Sequence, residues 1–419
     1  MAEALMDWTM PEGIDDKLIV DWNIYTEEKL FNDIHLGWHS LHENAPDIFW
    51  TPRNGGHWVV MRYEDQVKVL KDSEHFSSRE LHIPPMFNSN VMIPLNLDPP
   101  EHGKYRAVLM RYFGPGPINR MEPKLIAWAN RLIDRVIDNG GCDFTEVLGA
   151  GFPVSVFMEL MGMPLDRFEE FRTIVLEYFS NITPERRGQV QDRIFNIMRD
   201  LFEEKRRNPS DDLTSALLVE EVRGRRLSQE ELESIGFLLF LGGLDTVANA
   251  LTMSFRNLAQ RPDLQQRLVA EPDKLPDYVE ESLRRFAVVN QTRIVKKDIT
   301  IKGANFREGQ MLMCPLTSAG LDDRRNPDPE AFDIDRPDRA HITFSIGVHT
   351  CIGNMLARLE MRVFTRTWLE RIPHFSLASE DKPAWRPGLV MALEHLPLRW
   401  EAPTHAGNRL AASKSTSVL

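Results

Sequence analysis

One stretch of ten residues decides how this chain is interpreted: Phe344-Ser345-Ile346-Gly347-Val348-His349-Thr350-Cys351-Ile352-Gly353. It holds a single cysteine with glycines on both sides, and a helical pattern follows it at once. A thiolate that serves as a stable anionic ligand needs nearby hydrogen-bond donors and close approach of the backbone, which glycine permits. The stretch therefore indicates a loop that presents Cys351 to a metal ion.

A lone cysteine is more often a small buried apolar residue without chemistry, so the neighbours of Cys351 carry the argument. The pattern Phe-x-x-Gly-x-x-x-Cys-x-Gly, with a basic residue two places before the cysteine, resembles the haem-binding signature of the cytochromes P450. The resemblance implies that Cys351 is the axial iron ligand of a haem b group (iron protoporphyrin IX). It also implies that Phe344, His349 and Gly353 contact this cofactor. Ser345 stands where the family usually has glycine.

A long central helix is predicted from the capping box of Ser228 and Glu231 and from an apolar pattern that runs to about Leu258. Inside it lies Gly242-Gly243-Leu244-Asp245-Thr246. Each glycine costs about 1 kcal/mol relative to alanine in a helix, so something should compensate. The glycines would admit either a neighbouring helix or a flat ligand. The segment resembles the oxygen-binding groove of the cytochromes P450, which implies that Asp245 and Thr246 are catalytic residues that deliver protons to dioxygen.

A third motif is Glu281-Ser282-Leu283-Arg284. Its acid and base are three residues apart on one helical face, and alone they would indicate only an exposed ion pair. The motif lies between the glycine-bearing helix and the cysteine loop, as in the family. The resemblance assigns Glu281 and Arg284, together with Arg336, to a structural network that supports the haem pocket.

A fourth motif places His102 and Arg106 one helical turn apart, downstream of Asp98-Pro99-Pro100. Singly, such residues lie on the surface more often than against a ligand. The family resemblance implies that both contact haem propionates, with Arg293 and His349 as further partners. Four such groups would offset two buried carboxylates through charge-assisted hydrogen bonds.

Helical periodicity dominates the rest of the chain. Beyond the segments above, helices are predicted at Asn119–Asp138, Glu146–Met161, Leu165–Phe179, Pro184–Lys205 and Asp211–Val222, and strands at His57–Arg62, Arg293–Ile301 and Gln310–Pro315. No linker or repeat of fixed period divides the sequence. We therefore predict a mainly α protein with the cytochrome P450 fold, a helical bundle around haem with minor β-sheets. Residues 1–419 would form one domain, with a flexible tail at about 404–419.

Composition narrows the classes of function. The net charge of −12 argues against a general nucleic-acid binder. Three widely separated cysteines make a poor disulfide framework and suit a reducing compartment. The most apolar stretch, Ile235–Leu241, is far shorter than the roughly 20 residues that a bilayer span needs. We expect a monomeric, cytoplasmic bacterial enzyme without a membrane or nucleic-acid partner.

By resemblance, the chain is a haem-thiolate monooxygenase that hydroxylates a small hydrophobic substrate with O2. The implied pocket is lined by Leu238, Leu241, Gly242, Val289 and Val390, under a roof formed by the loop of residues 82–91. The stretches at 241–247, 281–286 and 396–400 are most similar to the camphor-hydroxylating branch of the family. Residues 87–93 lack the tyrosine with which that branch holds a ketone.

The missing tyrosine points to a different polar anchor in the roof loop. The candidates for this polar anchor are His82, Asn88 and Asn90. Asn90 or its neighbour Val91 would stand where the family has the tyrosine. A buried imidazole or amide without a partner loses about 1–3 kcal/mol, so a ligand oxygen would satisfy it. We expect an oxygen-bearing terpenoid or norisoprenoid, such as an ionone or cineole, to be preferred over camphor.

The chain contains no flavin or iron–sulfur domain, so electrons must come from another protein. The resemblance implies a [2Fe-2S] ferredoxin with an NAD(P)H-dependent ferredoxin reductase. The helix that bears Lys104, Arg106 and Arg111 would attract an acidic ferredoxin. Two alternatives stay open: a haem-thiolate sensor or carrier without turnover, and a reactive thiol or zinc ligand, which would need companion ligands.

Overall fold

The computed structural model describes residues 13–85, 91–179, 183–379 and 381–403. Its α-helices are α1 Glu28–Asn32, α2 Ile34–His39, α3 Leu41–Asn44, α4 Tyr63–Lys71, α5 Glu101–Phe113, α6 Pro115–Arg120, α7 Glu122–Asp134, α8 Gly151–Met161, α9 Phe168–Phe179, α10 Pro184–Arg207, α11 Leu213–Leu217, α12 Gln229–Leu244, α13 Thr246–Ala259, α14 Pro262–Ala270, α15 Leu275–Arg285, α16 Leu316–Gly320 and α17 Asn354–Arg371. Short 3₁₀ turns lie between them, including Gly347–His349.

The strands are short and belong to several small sheets. They are β1 Ile48–Thr51, β2 His57–Val60, β3 Phe76–Ser77, β4 Gly141–Asp143, β5 Glu221–Val222, β6 Arg225–Arg226, β7 Asn290–Val295, β8 Ile299–Ile301, β9 Ala304–Phe306, β10 Met311–Pro315, β11 Phe375–Leu377, β12 Trp385–Arg386, β13 Ala392–Leu393 and β14 Pro397–Trp400. The largest sheet has five strands in the order β1-β2-β10-β7-β3. The β10–β2 pair is parallel, and the other pairs of this sheet are antiparallel.

The five-stranded sheet positions one of the predicted cofactor contacts. In the β7–β10 pair, Arg293 lies opposite Leu312. The apolar side chains of this sheet form a core cluster that includes Trp50, Trp58 and Phe306. The register of strands with so many buried side chains is strongly specified, because a shift by one residue would turn every side chain to the other face of the sheet. Arg293 is therefore fixed on a rigid element.

The predicted central helix exists but is divided. Ser228 and Glu231 form the capping box, with Glu231 N–H 3.2 Å from Ser228 Oγ and Ser228 N–H 2.7 Å from Glu231 Oε2. The helical geometry is interrupted at Asp245, where φ is −120° and ψ is −42°. The span Gln229–Ala259 is long and apolar enough to cross a membrane, but 67% of its apolar window is buried within the protein. Such burial is what the core helix of a globular protein shows.

Three sequence-based predictions of elements were wrong. The helix predicted at Asn119–Asp138 is divided, with α6 ending at Arg120, α7 running over Glu122–Asp134 and a 3₁₀ turn at Ile137–Asn139. The helix predicted at Asp211–Val222 stops at Leu217, and the chain then forms the β5–β6 hairpin. Arg223 and Gly224 turn this hairpin with φ angles of 59° and 72°, values that helical periodicity does not reveal. The strand predicted at Arg293–Ile301 is two strands, β7 and β8. The tail at 404–419 lies outside the described residues.

Candidate active site

The cysteine loop is held by its backbone. Cys351 N–H donates to the carbonyl of Phe344 across 2.7 Å, which closes the loop into a compact turn. Gly347, with φ of 79°, sits against the end of α4, where a Cβ would lie 3.1 Å from the carbonyl oxygen of Leu70. A side chain at this position would meet both an unfavourable φ and fixed backbone. The glycine therefore lets the loop pack closely on α4.

Ser345 adopts a backbone conformation that favours glycine. Its φ is 59°, in the left-handed region that non-glycine residues adopt at a cost of about 1–2 kcal/mol. With the Gln291 amide oriented to satisfy both of its ends, its nitrogen donates to Ser345 Oγ at 2.6 Å. The amide oxygen then accepts from both Arg293 Nη atoms at 3.2 Å. The serine is thus tied, through one amide, to a predicted propionate contact.

Opposing electrostatic effects act on the Cys351 thiol. The residue is solvent-accessible, yet burial within the protein raises the pKa of its thiol. The Gly353 backbone N–H, Arg106 and Arg358 act in the opposite direction and favour the thiolate. The guanidinium of Arg358 also packs on the ring of Phe344, 4.6 Å from its centroid. A metal ion at this sulfur would complete the shift toward the deprotonated ligand.

Four basic side chains converge beside this loop: His102 and Arg106 from α5, Arg293 from β7 and His349 from the loop itself. The rings of His102 and His349 lie 4.2 Å apart between centroids. Burial lowers the pKa of His102 to about 4 and that of His349 to about 3. Both imidazoles are therefore neutral at pH 7, and the two guanidiniums supply the positive charge.

The cluster holds two positive charges without a local counter-charge. Burial lowers the pKa of Arg293 to about 10, and the acid that acts on it, Asp98, lies 3.5 Å from the ammonium of Lys296. Across residues 13–403, leaving out the undescribed gaps, neither Arg106 nor Arg293 forms an ion pair with a carboxylate. Both ring nitrogens of His349 are buried without a hydrogen-bond partner in the same part of the chain. The single N–H of a neutral His349 and the two guanidiniums, which have no carboxylate partner among these residues, fit the two propionates of haem.

The zinc alternative finds no support in the donor set. Within the described residues, no group of three or more His, Cys, Asp or Glu side chains is placed to share one metal ion. A zinc site closed by protein ligands needs such a group. A single thiolate beside a cationic cluster instead suits an iron whose other ligands come from a macrocycle.

The two glycines of the central helix have different roles. A Cβ on Gly243 would lie 2.2 Å from the ring of Phe157 in α8, so this glycine admits a neighbouring helix. A Cβ on Gly242 would meet no atom of the described residues within 4 Å, and Gly242 is exposed between the buried Leu241 and Leu244. Gly243 therefore admits the neighbouring helix α8, and Gly242 leaves room for a ligand. Gly242 lies at the groove that this ligand would occupy.

One face of α12 carries the predicted pocket and relay residues. Leu238, Leu241, Gly242 and Asp245 follow Ser234 at helical spacings of four, seven, eight and eleven residues. Ser234 Oγ donates to the carbonyl of Val91 and accepts from Ile93 N–H at 3.3 Å. The face thus begins where the roof loop is anchored. Ser234 was not predicted, because a serine among apolar residues carries no motif.

The helix break places the two relay residues. Thr246 Oγ1 donates to the carbonyl of Gly242 at 3.2 Å, a bond to the preceding turn that helps to open the helix. Asp245 is buried, and its Oδ2 has no hydrogen-bond partner among the described residues. Burial raises the pKa of Asp245, and Arg386 opposes that effect. Arg386, 141 positions downstream, was not anticipated.

The other predicted pocket residues lie on two walls and the roof. Val289 and Val390 are joined by an antiparallel bridge, so these two are neighbours. His82 Nδ1 lies 3.2 Å from Glu80 Oε1, which ties the imidazole to its own loop. Tyr25 donates its hydroxyl proton to the carbonyl of Ile83 at 2.6 Å. Asn88 and Asn90 lie outside the described residues.

Glu281, Arg284 and Arg336 form one buried network. Arg284 binds Glu281 through two contacts of 2.7 and 2.8 Å, and neither side chain is exposed. Further Arg284 donors reach the carbonyls of Gly320 and Pro329 at 2.7 and 2.8 Å. Arg336 Nε lies 3.5 Å from Glu281 Oε1. The network fixes α15 to the segment that leads into the cysteine loop.

Comparison with known proteins gives one consistent result. A protein-family model described as "Cytochrome P450" matches residues 154–393. The chain is 31% identical to the probable cytochrome P450 127A1 of Sinorhizobium fredii, over 93% of this chain and 97% of that protein. It is 29% identical to 6-deoxyerythronolide B hydroxylase of Saccharopolyspora erythraea, over 93% of this chain and 99% of that protein.

Solved structures agree with the sequence matches. The crystal structure of CYP101J2 superposes with a TM-score of 0.87 at 33% identity, covering 94% of this chain and 100% of that chain. The crystal structure of CYP101C1 gives the same TM-score and coverage at 30% identity.

Proposed function

Because the chain belongs to the cytochrome P450 family, we propose that it hydroxylates a small terpenoid or norisoprenoid with electrons from a [2Fe-2S] ferredoxin. The predicted fold, the haem b cofactor and the monooxygenase class are confirmed. The observation that carries the proposal is the α12 face, where apolar side chains and an open glycine precede a buried acid. A small apolar substrate suits such a wall.

The haem-binding residues follow from the basic cluster and the cysteine loop. Cys351 would ligate the iron, and the two arginines and two neutral imidazoles of the cluster would bind the propionates. Phe344 and Gly353 would pack beside the sulfur. When bound, a haem with a thiolate ligand supplies O2 activation and oxidation of a C–H bond. The chain itself positions the substrate, excludes water and moves protons.

Asp245 and Thr246 would move those protons. Among the described residues Oδ2 of Asp245 is buried without a hydrogen-bond partner, and it is the oxygen from which a proton would pass toward the substrate pocket. The Thr246 hydroxyl already donates to the Gly242 carbonyl, so its lone pairs remain free to accept. Proton transfer by a positioned side chain contributes roughly 10²–10⁴-fold to a rate.

A substitution at the hydroxyl tests this relay. Thr246→Ala should retain haem and substrate binding but divert reductant from product to hydrogen peroxide, because protons are then delivered without direction. Thr246→Ser keeps the hydroxyl and serves as the matched control. Product formed per reductant equal to wild type in Thr246→Ala would leave Thr246 a purely structural role.

The roof loop bears on substrate polarity. If the Nδ1–H of His82 faces Glu80, the ring nitrogen left for a ligand is Nε2, which accepts a hydrogen bond when the imidazole is neutral. Such a nitrogen suits a substrate hydroxyl, whereas the ketone of an ionone and the ether of cineole only accept hydrogen bonds and would need a different donor in the pocket. We propose ionones and cineole as substrates, with camphor as a weaker ligand, and add terpenoid alcohols as a class that this imidazole would bind.

A spin-state titration tests the substrate class directly. Ligands that displace water from the haem iron change its spin state, so the holoenzyme can be screened with camphor, ionones, cineole, terpenoid alcohols and unfunctionalised terpenes. We expect the oxygen-bearing ligands other than camphor to bind most tightly and to yield hydroxylated product. Tightest binding and fastest turnover of camphor would overturn this part of the proposal.

The proposed ferredoxin would dock on the face around the cysteine loop. Val348 is 39% exposed there, and Lys71 at the end of α4 packs against Gly347. Lys104 forms an ion pair with Glu101 at 2.7 Å, and Arg111 forms one with Glu220 at 2.6 Å, so both charges are partly neutralised. Lys71 therefore becomes the sharper probe of a basic docking site.

Charge reversal at Lys71 tests the docking face. Lys71→Glu should slow reduction by a [2Fe-2S] ferredoxin several-fold at low salt and much less at high salt, since exposed charges are screened. Lys17→Glu, on a turn near the start of the described chain, makes the same charge change elsewhere. Equal reduction rates for the two variants at every ionic strength would argue for another face.

The sensor or carrier alternative is separated by turnover. Both classes would show the red-shifted Soret band of a reduced, carbon monoxide-treated haem-thiolate protein. Only an enzyme converts a bound ligand to product when reductant is supplied. A ligand that shifts the spin state but is never oxidised would favour the sensor.

A further inference from the structure

Asp245 has a charged neighbour that no motif of the chain indicates. Arg386 Nη2 lies 3.9 Å from Asp245 Oδ1. The side chains are 19% and 5% exposed, so solvent screens this pair only weakly. The other carboxylate oxygen, Oδ2, has no hydrogen-bond partner in the described ranges. One oxygen thus faces a guanidinium while the second stays available.

Arg386 stands on a hairpin that also carries a predicted pocket wall. It pairs with Ala392 across β12 and β13. The tip of the hairpin is bound to the start of β7, where Asn290 N–H donates to the Leu389 carbonyl at 2.9 Å and Met391 N–H donates to the Val288 carbonyl at 2.8 Å. Val390 lies between these two bonds. The guanidinium and the pocket wall therefore belong to one small unit.

We propose that Arg386 is a positioning residue for Asp245, whose carboxylate it orients and whose charged form it favours, and that it ties proton delivery to the hairpin that walls the substrate pocket. The inference rests on the proposed relay role of Asp245. Arg386 would touch neither substrate nor cofactor in this role. It would act on the relay through the carboxylate.

The electrostatics explain why a relay acid needs this neighbour. Burial raises the pKa of Asp245, while Arg386 and then the Asn249 amide lower it. Among the described residues the Asn249 nitrogen forms no hydrogen bond of ordinary geometry, so the guanidinium is the stronger support for the charged form. A carboxyl with a strongly raised pKa would accept a proton readily but would give it up only slowly. Arg386 keeps the acid able to do both.

Infrared spectroscopy of the resting holoenzyme tests the ionisation without turnover. The band of a protonated carboxyl group is assigned by its loss in Asp245→Asn and then followed against pH. Arg386→Gln should raise the titration midpoint of Asp245 by about one to two pH units, because an adjacent arginine lowers a carboxyl pKa by roughly that amount. Arg386→Lys should keep the midpoint of Asp245 closer to the wild-type value, with at most half of the rise seen in Arg386→Gln. Arg399→Gln, at an exposed arginine on β14, is the matched control.

An unchanged midpoint in Arg386→Gln would overturn the inference. A loss of thermal stability without any change in midpoint would also overturn it, since the pair would then be only a structural cross-link. If Arg386→Gln does not fold, the comparison of Arg386→Lys with wild type supplies the titration.

Oxygen consumption separates this inference from the proposed relay. With β-ionone as the probe and a ferredoxin as the reductant, Asp245→Asn should slow the reaction about tenfold or more. Arg386→Gln should move the pH dependence of the rate in the same direction as the infrared midpoint. A wild-type rate in Asp245→Asn would remove the relay, and this inference with it. A slow Asp245→Asn beside an Arg386→Gln variant with the wild-type pH profile would remove the inference alone.

Discussion

The proposed oxidation depends on one residue, Cys351, whose sulfur would be the iron ligand. Cys351→His would change the axial donor and remove the electron-donating thiolate, so the reduced, carbon monoxide-treated protein should lose its red-shifted Soret band. Cys142→Ser, a change at a thiol whose pKa burial raises to about 12, should leave the spectrum as it is. A red-shifted band that survives in Cys351→His would contradict the ligand assignment.

Ser345 offers a test of backbone strain beside the ligand. Ser345→Gly relieves a φ of 59°, whereas Ser345→Ala keeps the strain, and both variants lose the hydroxyl contact with Gln291. We expect the glycine variant to be more stable than the alanine variant by about 1 kcal/mol in urea unfolding, after the greater freedom of unfolded glycine is subtracted. Equal stability of the two variants would show that the loop relaxes around residue 345.

At the residue scale, sequence reasoning found the groups that belong to motifs and missed those that do not. Cys351, His102, Arg106, Arg293 and His349 were predicted from the resemblance, and the structure brings them together. Arg386 and Ser234 were missed because their roles arise from contacts made over 141 and 143 positions along the chain. No local pattern records such a distance.

The divided helix provides a matched pair of substitutions at the scale of the element. Gly243→Ala would push a methyl group into Phe157, so we expect a loss of about 1–3 kcal/mol from overpacking. Gly242→Ala adds a methyl group that meets no atom of the described residues within 4 Å, and it gains helix propensity of about 1 kcal/mol, so stability should be kept or should rise. Its methyl group would instead intrude on the groove and weaken the spin-state response to ligands.

Urea unfolding and spin-state titration of both variants check this difference. A Gly242→Ala variant that binds ligands as wild type does would show that the groove lies elsewhere. A Gly243→Ala variant of wild-type stability would show that Phe157 and α8 can shift to accommodate the added methyl group. The two glycines would then not differ in their effect on stability.

Most elements could be predicted because their apolar periodicity matches the face they bury. The helices α9 and α10 lie close to their predicted bounds, whereas α8 begins at Gly151 and not at the predicted Glu146, after a π-helical turn at Thr145–Gly149. A bend near Thr246 can be expected from a hydroxyl that competes for backbone hydrogen bonds, but the full interruption of helical geometry at Asp245 cannot, since glycine and threonine are also compatible with a continuous helix. The β5–β6 hairpin was hidden because its turn relies on positive φ angles at Arg223 and Gly224.

For the whole molecule, a buried histidine predicts acid sensitivity. Burial lowers the pKa of His57 in β2 to about 3, against a smaller opposing effect of the Arg53 backbone. The unfolded imidazole titrates near about 6.5. Below that pH the unfolded chain binds a proton that the folded chain does not, so stability is present above about pH 6.5 and is lost as the pH falls toward 3.

Replacement of His57 should reduce the loss of stability that the protein shows as the pH falls. Relative to wild type, His57→Leu should gain about 2 kcal/mol in the free energy of unfolding between pH 7 and pH 5, since one pKa unit corresponds to about 1.36 kcal/mol. The measurement is urea unfolding at both pH values, with His395→Leu as an exposed control. A constant difference between wild type and His57→Leu at the two pH values would refute the role of His57.

The basic cluster beside the cysteine loop makes cofactor binding tolerant of single losses. Four donors would share two propionates, and groups that act on the same acceptors do not contribute additively. Loss of one imidazole would be partly absorbed by the remaining three donors, while loss of both guanidiniums would leave the anions without countercharge. Redundancy of this kind means that haem affinity would fall in steps and would not be lost at the first substitution.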